Sequence, residues 1–322
     1  MLMAQLDTDQ VFGPEDDNFH PHSDDWWETE TCWFSFNVPE RAMGGWFYGY
    51  IRPNMNLSGG GFFVWDASAT TTWELPYYKY SFAQPLPPQR DLRDFAFPEN
   101  YRIKMLKPLD QYHLSYQDRK LVAIDIEHHA IMPPHPFRHG APPFDKSPHF
   151  DQSGRIVGEM TLHGERIKID CFSVRDRSWG PRIDHRSGRI GYSFATADAK
   201  NGFCLFSRSA QVGADGLEPV NHGYLLADGR KSQILKGWRR LERDPRRNWV
   251  TRVEVEAEDQ DGRKLLADGR AVSRMMLPTA RGISCYTLLS WTLNGAQAWG
   301  EDQDVWRNDQ WSAAMRKART EA

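Results

Sequence analysis

The densest concentration of chemically active side chains in this sequence is the segment 175–182, which reads Arg-Asp-Arg-Ser-Trp-Gly-Pro-Arg. We call it the arginine-rich segment. Charged groups are costly to bury unless they are paired, so such a cluster has little use in an exposed loop. It either locks a β-structure through Asp–Arg pairs or presents a charge and a flat indole to a ligand. The sequence leaves both alternatives open.

The strand that leads into this segment alternates apolar and charged residues from 166 to 174. If the alternation continues, Arg175, Arg177 and Trp179 point to the interior and Asp176 points away. A buried arginine needs a carboxylate partner. The candidate partners are Asp176, Glu159, Asp170 and Asp198.

The elements that position the segment are predicted to be β-strands. Residues 31–38, 121–130 and 252–258 alternate between apolar and polar side chains, which is typical of an antiparallel sheet with one solvent-exposed face. Asp-Gly and Asn-Gly dipeptides, which favour hairpin turns, all lie in the second half, whereas 16 of the 20 prolines precede residue 150. We therefore predict an all-β chain of two tandem antiparallel β-barrel-like domains, 1–148 and 149–322. A short helix near the C-terminus, at about 304–319, is the only helix of any length that we expect.

Composition excludes several functional classes. The 40 basic and 43 acidic residues are interspersed, which argues against nucleic acid as a partner. No apolar run approaches the roughly 18 residues of a membrane span, and residues 1–7 lack the features of a signal peptide. The four cysteines are widely spaced and indicate reduced thiols. We expect a cytoplasmic protein, and phosphate-binding and nucleophile-elbow motifs are absent from the sequence.

Two further residues could take part in proton chemistry. His128 continues the apolar face of the run at 122–126, so it is either a satisfied core residue or a proton carrier that opens into a cavity. Tyr192 shares a face with Phe194 and is either a core tyrosine or a hydrogen-bonding group for a ligand. The histidines at 135–149 accompany prolines and no cysteine, and we expect no metal site.

The region 154–182 resembles a known superfamily. The motifs that show the resemblance are Gly-Arg-Ile-Val-Gly-Glu-Met at 154–160, His-Gly-Glu at 163–165 and the arginine-rich segment. They are similar to the lipocalin-like superfamily of carotenoid 1,2-hydratases (hydroxyneurosporene synthases), tocopherol cyclases, kievitone hydratase and Diels–Alderases. The greatest similarity is to an uncharacterised bacterial branch. The resemblance implies two lipocalin-like β-barrel domains, an apolar pocket, no cofactor, and enzymes that protonate or cyclise alkenes.

The resemblance also carries over individual positions. In the carotenoid hydratases a histidine and a tryptophan two residues apart line the pocket, and these match Arg177 and Trp179 here. The Tyr-x-Asp that supplies the acid in those enzymes has no counterpart at 203–206, where no carboxylate occurs. The proton donor must then come from elsewhere. The candidates are His128, Glu127, Asp176, Tyr192 and His222.

We predict a cofactor-independent lyase or isomerase that acts on a bulky apolar terpenoid, steroid or polycyclic aromatic. The reaction is a hydration, a dehydration, a double-bond shift or a cyclisation. The predicted catalytic residues are Arg177, Asp176, His128 and Tyr192. The predicted substrate-binding residues are Trp179, Phe194, Phe206, Trp46 and Tyr48. In this scheme Arg177 stabilises a developing enolate and His128 shuttles a proton. The alternative is a non-catalytic lipocalin-like binder of hydrophobic small molecules, and a homodimer stays open.

Overall fold

The chain is described here from a computed structural model over residues 10–69, 71–97, 101–137, 147–182, 189–209, 216–278 and 282–320. It is 65% strand and 10% helix, which confirms the all-β prediction with one short C-terminal helix. None of the helices in the described ranges combines the length and the apolar character that a membrane span requires.

The strands of the described residues are β1 (Glu30–Val38), β2 (Met43–Arg52), β3 (Leu57–Trp65), β4 (Tyr77–Pro85), β5 (Asp94–Ala96), β6 (Arg102–Lys107), β7 (Gln111–Asp118), β8 (Val122–Ala130), β9 (His135–Pro136), β10 (His149–Leu162), β11 (Glu165–Ser178), β12 (Ile190–Asp198), β13 (Asn201–Ser207), β14 (Glu218–Ala227), β15 (Arg230–Arg243), β16 (Val250–Asp259), β17 (Lys264–Pro278), β18 (Gly282–Leu293) and β19 (Ala296–Arg307). The α-helix is α1 (Asn308–Thr320). Short 3-10 helices lie at Pro14–Asp17, Pro39–Arg41, Pro53–Met55 and Thr72–Glu74.

The chain forms two compact units. Unit 1 extends to Arg182 and is one curled, half-barrel sheet in the order β4-β3-β2-β1-β11-β10-β8-β7-β6-β5, with β9 paired to β10. Unit 2 contains the residues after Arg182 together with Pro39–Met43 and Trp65–Leu75. Its strands β12 to β19 close in sequence order into an eight-stranded antiparallel barrel.

The predicted domain boundary at 148/149 falls inside unit 1. β10 and β11 form one long hairpin, in register from His149↔Ser178 to Leu162↔Glu165. Because β10 also pairs with β8 and β11 with β1, the arginine-rich segment belongs to unit 1. The prolines before residue 149 therefore lead into a strand of the same sheet, and β9 itself contains Pro136.

Several of the predicted hairpin turns are present. Asp228-Gly229 and Asn294-Gly295 have positive φ angles and join β14 to β15 and β18 to β19. Asp268-Gly269 was wrongly predicted as a turn, since it lies within β17. A Cβ at Gly269 would lie 2.6 Å from the ring of Trp291, so this glycine makes room for an indole and turns no chain.

Each unit has its own core. In unit 1 alternate residues of the strands bring together aromatic rings such as Phe36, Phe47 and Phe62, with 4.8 Å between the centroids of the last two. In unit 2 one group of interior residues is apolar, and it includes Val253 and Trp291. Another interior group is ionic, with Arg239 paired to Glu218 and Asp302.

Candidate functional site

β11 presents its charged residues on opposite faces of the unit 1 sheet. The guanidinium groups of Arg175 and Arg177 lie among the rings of the inner face, for example 5.2 Å from Phe150 and 5.9 Å from Phe19 respectively. Asp176 lies between them in sequence and therefore points to the outer face. The alternation read from the sequence is correct, and it separates the arginines from the carboxyl group.

Arg175 is fully buried and fully engaged. Its Nη1 donates to Asp17 Oδ1 at 3.0 Å and its Nε donates to Gln152 Oε1 at 2.8 Å. Its guanidinium lies 4.2 Å from the ring centroid of Tyr112, whose hydroxyl also donates to Asp17. A charge paired in this way fastens the segment around Asp17 to the sheet.

Arg177 is held by the same N-terminal region. Its Nη2 donates to Glu30 Oε2 at 2.9 Å and to the Asn18 carbonyl at 2.7 Å, and its Nη1 donates to the Thr31 carbonyl at 2.8 Å. The arginine partners predicted from the sequence are thus wrong. Glu159 and Asp170 instead pair with Arg166 and Arg155 on the surface, while Asp198 accepts from the Lys200 amide.

Trp179 lies on the same inner side. Its ring stacks on His20 with 3.9 Å between centroids, and it belongs to a buried cluster with Phe12 and Phe150. The structure places Arg177 and Trp179, predicted for catalysis and for substrate binding, among packed side chains of unit 1. These contacts connect the arginine-rich segment to the N-terminal region.

His128 is buried on the inner face between the rings of Phe34 and Tyr112. Burial, reinforced by the charge of Arg175, lowers the pKa of His128 well below its usual value. Its ring lies over Gly154, where a Cβ would come within 2.2 Å of Nε2. His128 is therefore a neutral core histidine, and it lies on the opposite face of the sheet from Asp176.

The predicted residues Tyr192, Phe194 and Phe206 belong to unit 2. The centroid of Tyr192 lies 4.6 Å from that of Phe206 and 5.8 Å from that of Phe194. The residues that alternate with them, Ser193 and Ala195, face the barrel interior. The three aromatic residues form a group on the outside of the barrel.

The outer face of unit 1 brings Asp176 together with two residues of β10. Asp151 is its direct partner in the ladder, and His149 lies next to both carboxylates. His149 Nε2 is 3.0 Å from Asp151 Oδ2 and 3.7 Å from Asp176 Oδ2. The Asp151 side chain is fully buried, whereas that of Asp176 remains 22% exposed. One donor atom from each lies within 4.8 Å of the others, so among the described residues this trio could also hold a divalent ion.

The electrostatics of this trio favour proton transfer. Loss of hydration on burial, together with the nearby carboxylate of Asp151, raises the pKa of Asp176 to about 6, against the opposing effects of His149 and Arg182. Asp176 Oδ1 is buried and has no hydrogen-bond partner within the described residues. A carboxyl group with a pKa near neutrality, in a side chain that is partly exposed, is suited to act as a general acid or base.

Aromatic side chains flank the trio on one side. Trp33 of β1 is the direct ladder partner of Asp176, and its ring lies 5.1 Å from that of Trp46 in an edge-to-face arrangement. Tyr48 is two residues further along β2 and lies 6.4 Å from Tyr80. Predicted residues Trp46 and Tyr48 therefore do share a face with Asp176.

Hydroxyl groups and a guanidinium lie next to the trio, in the adjacent row of the ladder that contains His149. Thr31 Oγ1 and Ser178 Oγ are 2.6 Å apart, and Arg182 donates to Ser178 Oγ. We call the combined set the outer-face site. Its members are Thr31, Trp33, Trp46, His149, Asp151, Asp176, Ser178 and Arg182.

His149, Asp151, Trp33 and Arg182 were missed as site residues in the sequence. The period-two pattern of β10 does place His149 and Asp151 on one face. Nothing local shows that this face continues across the ladder to Asp176, because the register depends on a pairing between distant residues.

The fold and the outer-face site together define a two-unit, all-β protein with a carboxyl group of raised pKa on one sheet. The chain belongs to the DUF7064 family, described as a domain of unknown function, and the match covers residues 13–301. No curated protein matches the sequence.

Solved structures support the fold. NE1406 of Nitrosomonas europaea, provisionally named AttH, is 12% identical with a TM-score of 0.64, covering 94% of this chain and 99% of that one. CghA is 13% identical with a TM-score of 0.56, covering 87% and 89%. Kievitone hydratase from Nectria haematococca is 9% identical with a TM-score of 0.56, covering 94% of each chain. At 9–13% identity these similarities show a shared fold.

Proposed function

We propose that the protein is a cofactor-independent lyase or isomerase that transfers protons to and from carbon on a bulky, largely apolar, ring-containing substrate. One observation carries this proposal: Asp176 is a partly exposed carboxyl group beside His149 and Asp151, next to the indole rings of Trp33 and Trp46. A general acid of this kind adds a proton to an alkene carbon, which is the step shared by hydration, dehydration and double-bond shift.

The residues of the outer-face site divide this work. In hydration, protonated Asp176 gives its proton to one alkene carbon, while water attacks the other carbon and loses a proton to His149. His149 then returns that proton to Asp176 across the 3.7 Å that separate Nε2 from Oδ2. Asp151, 3.0 Å from the same nitrogen, orients the imidazole and stabilises its charged form. Dehydration follows the same steps in reverse.

The tryptophans supply binding. Trp33 and Trp46 meet edge to face beside Asp176 and are 4% and 5% exposed, so a flat apolar ring would pack against the small part of these indoles that stays accessible. This replaces the predicted scheme in which Trp179 carried the substrate. A hydrophobic ligand held here would bring an alkene carbon within reach of the Asp176 carboxyl group.

The test is solvent deuterium uptake, which detects the reaction whichever product is formed. The protein is incubated in D2O with a panel of terpenoid, steroid and polycyclic aromatic alkenes and enones, and mass spectrometry follows carbon-bound deuterium or added D2O. We expect uptake with the wild type and with Asp170→Asn, a control carboxylate on the same strand. Asp176→Asn should reduce uptake at least about a hundredfold, as loss of a general acid does.

Two other outcomes would decide against the proposal. Ligands that bind the wild type and Asp176→Asn equally, with no uptake in either, indicate the hydrophobic-ligand binder. Uptake that disappears on treatment with a chelator and returns with a divalent ion assigns the His149, Asp151 and Asp176 trio to a metal instead.

A further inference from the structure

Arg182 is the cation that the outer-face site presents beside its acid. Its side chain is half-buried and donates to Ser178 Oγ. Ser178 is the ladder partner of His149 and lies two residues from Asp176 on the same face of β11, so this hydrogen bond holds the guanidinium beside the trio. The arginine expected in this role, Arg177, is on the other face of the sheet.

The backbone of residues 180–182 is held by residues 27–29. Its amide donates to the Trp27 carbonyl at 2.9 Å, and the Thr29 amide donates to the Gly180 carbonyl at 3.1 Å. Pro181 forms a bridge with Glu28. These backbone contacts position residue 182, and one of the five N–H groups of its guanidinium is directed at Ser178 Oγ.

A fixed positive charge near Asp176 discriminates between two kinds of alkene. Protonating an isolated alkene produces a carbocation, which a neighbouring guanidinium destabilises. Adding water to an alkene conjugated with a carbonyl produces an enolate oxygen, which the same guanidinium stabilises. The charge of Arg182 therefore favours conjugated substrates.

We infer that the substrate is an α,β-unsaturated carbonyl compound, a ketone or a carboxylate, whose oxygen is bound by Arg182, and this inference rests on the proposed function. Water oxygen bonds to the β-carbon and its proton passes to His149. The alkene electrons move to the carbonyl oxygen beside Arg182, and the enolate then takes the Asp176 proton at the α-carbon. The net reaction adds one water molecule and involves no oxidation or reduction.

Binding of three matched probes tests the inference without turnover. Isothermal titration compares 3-(2-naphthyl)acrylate, its primary amide and 2-vinylnaphthalene, which share the ring and the alkene. We expect the acrylate to bind the wild type at least about tenfold more tightly than vinylnaphthalene, as a charge-assisted hydrogen bond would provide. Arg182→Gln should abolish that preference and Arg182→Lys should retain part of it. Arg155→Gln, at an exposed arginine of β10, should leave it unchanged.

The outcomes separate this inference from the proposed function. Equal affinity for the acrylate and vinylnaphthalene in the wild type overturns the role of Arg182, as does a preference that survives in Arg182→Gln. Deuterium uptake by isolated alkenes alone, unaffected by Arg182→Gln, refutes the substrate class while sustaining proton transfer by Asp176. A carboxylate preference that depends on Arg182, without uptake from any compound, sustains the binding site and refutes the enzyme.

Discussion

Replacing Asp176 by asparagine should make the protein more stable while it removes the proton that the reaction needs. The two side chains have the same shape, so packing against Trp33 is kept. The difference is that Asp176 must be partly stripped of water when it ionises in the folded state. Stability gained at the expense of activity is the behaviour expected of a residue retained for function.

The magnitude follows from the pKa. Asp176 titrates at about 6 in the folded protein, against an ordinary value of 3.8. At about 1.36 kcal/mol for each pKa unit, the ionised carboxylate destabilises the fold by at most roughly 3 kcal/mol at neutral pH. Because the side chain is 22% exposed, water screens part of this effect, and we expect about 1–2 kcal/mol.

The direction of the pKa shift determines the pH range over which the two proteins differ in stability. Below its unfolded pKa near 3.8 the Asp176 carboxyl group is protonated in both states and costs the fold no stability. As the pH rises from 3.8 to 6 the free energy of unfolding falls, and above 6 the loss is complete. The advantage of Asp176→Asn in the free energy of unfolding should therefore be smallest near pH 4.5, grow up to about pH 6.5, and then stay constant.

Urea unfolding followed by far-UV circular dichroism at pH 4.5, 6 and 8 measures this difference. Asp170→Asn is the matched control, because its hydrogen bond with Arg155 lowers the pKa of that carboxyl group and the substitution should bring no gain. If Asp176→Asn is equally or less stable than the wild type at pH 8, the carboxyl group is not desolvated and our account of the site is refuted.

Other predictions concern the residues that fix the site. Asp17→Asn leaves the Arg175 charge buried without its carboxylate and should cost about 3–5 kcal/mol in urea unfolding, with a loss below 1 kcal/mol contradicting the lock. His128→Leu should reduce the loss of stability in acid, since the wild type loses about 1.4 kcal/mol for each pH unit below 6.5 while His128 stays neutral in the fold; identical acid unfolding of both proteins would show that the imidazole is charged. Asp302→Asn removes the bidentate partner of Arg239 inside the unit 2 barrel and should lower the unfolding temperature clearly, and an unchanged temperature would mean that the ionic interior contributes nothing.

The local part of this structure could be predicted from the sequence. Period-two patterning is a property of a few neighbouring residues, and it correctly assigned strands and the opposite orientations of Arg177 and Asp176. The turn at Asn294-Gly295 was predictable for the same reason, because its geometry depends on two residues. The resemblance around 154–182 added the expectation of a lipocalin-like group, which period-two patterning alone does not distinguish from other all-β folds.

The long-range part could not be predicted. The carboxylates that neutralise Arg175 and Arg177 are Asp17 and Glu30, about 150 residues earlier in the chain. No periodicity links such positions, and the sequence pattern therefore favoured acidic residues near the segment. The predicted boundary at 148/149 falls inside unit 1 for a similar reason, since proline content reports local stiffness and contains no information on the pairing of β10 with β8.

The inner-face contacts of β11 help to hold Asp176 in position on the outer face. An aspartate with a raised pKa is unfavourable in a sheet, and β11 would relieve that cost by twisting or slipping in register. Arg175 and Arg177, on either side of Asp176, bond to groups of the N-terminal region and prevent both movements. Under the proposed function the arginines would contribute without contacting a substrate, because they hold the Asp176 carboxyl group beside His149 and Trp33, in the environment that raises its pKa.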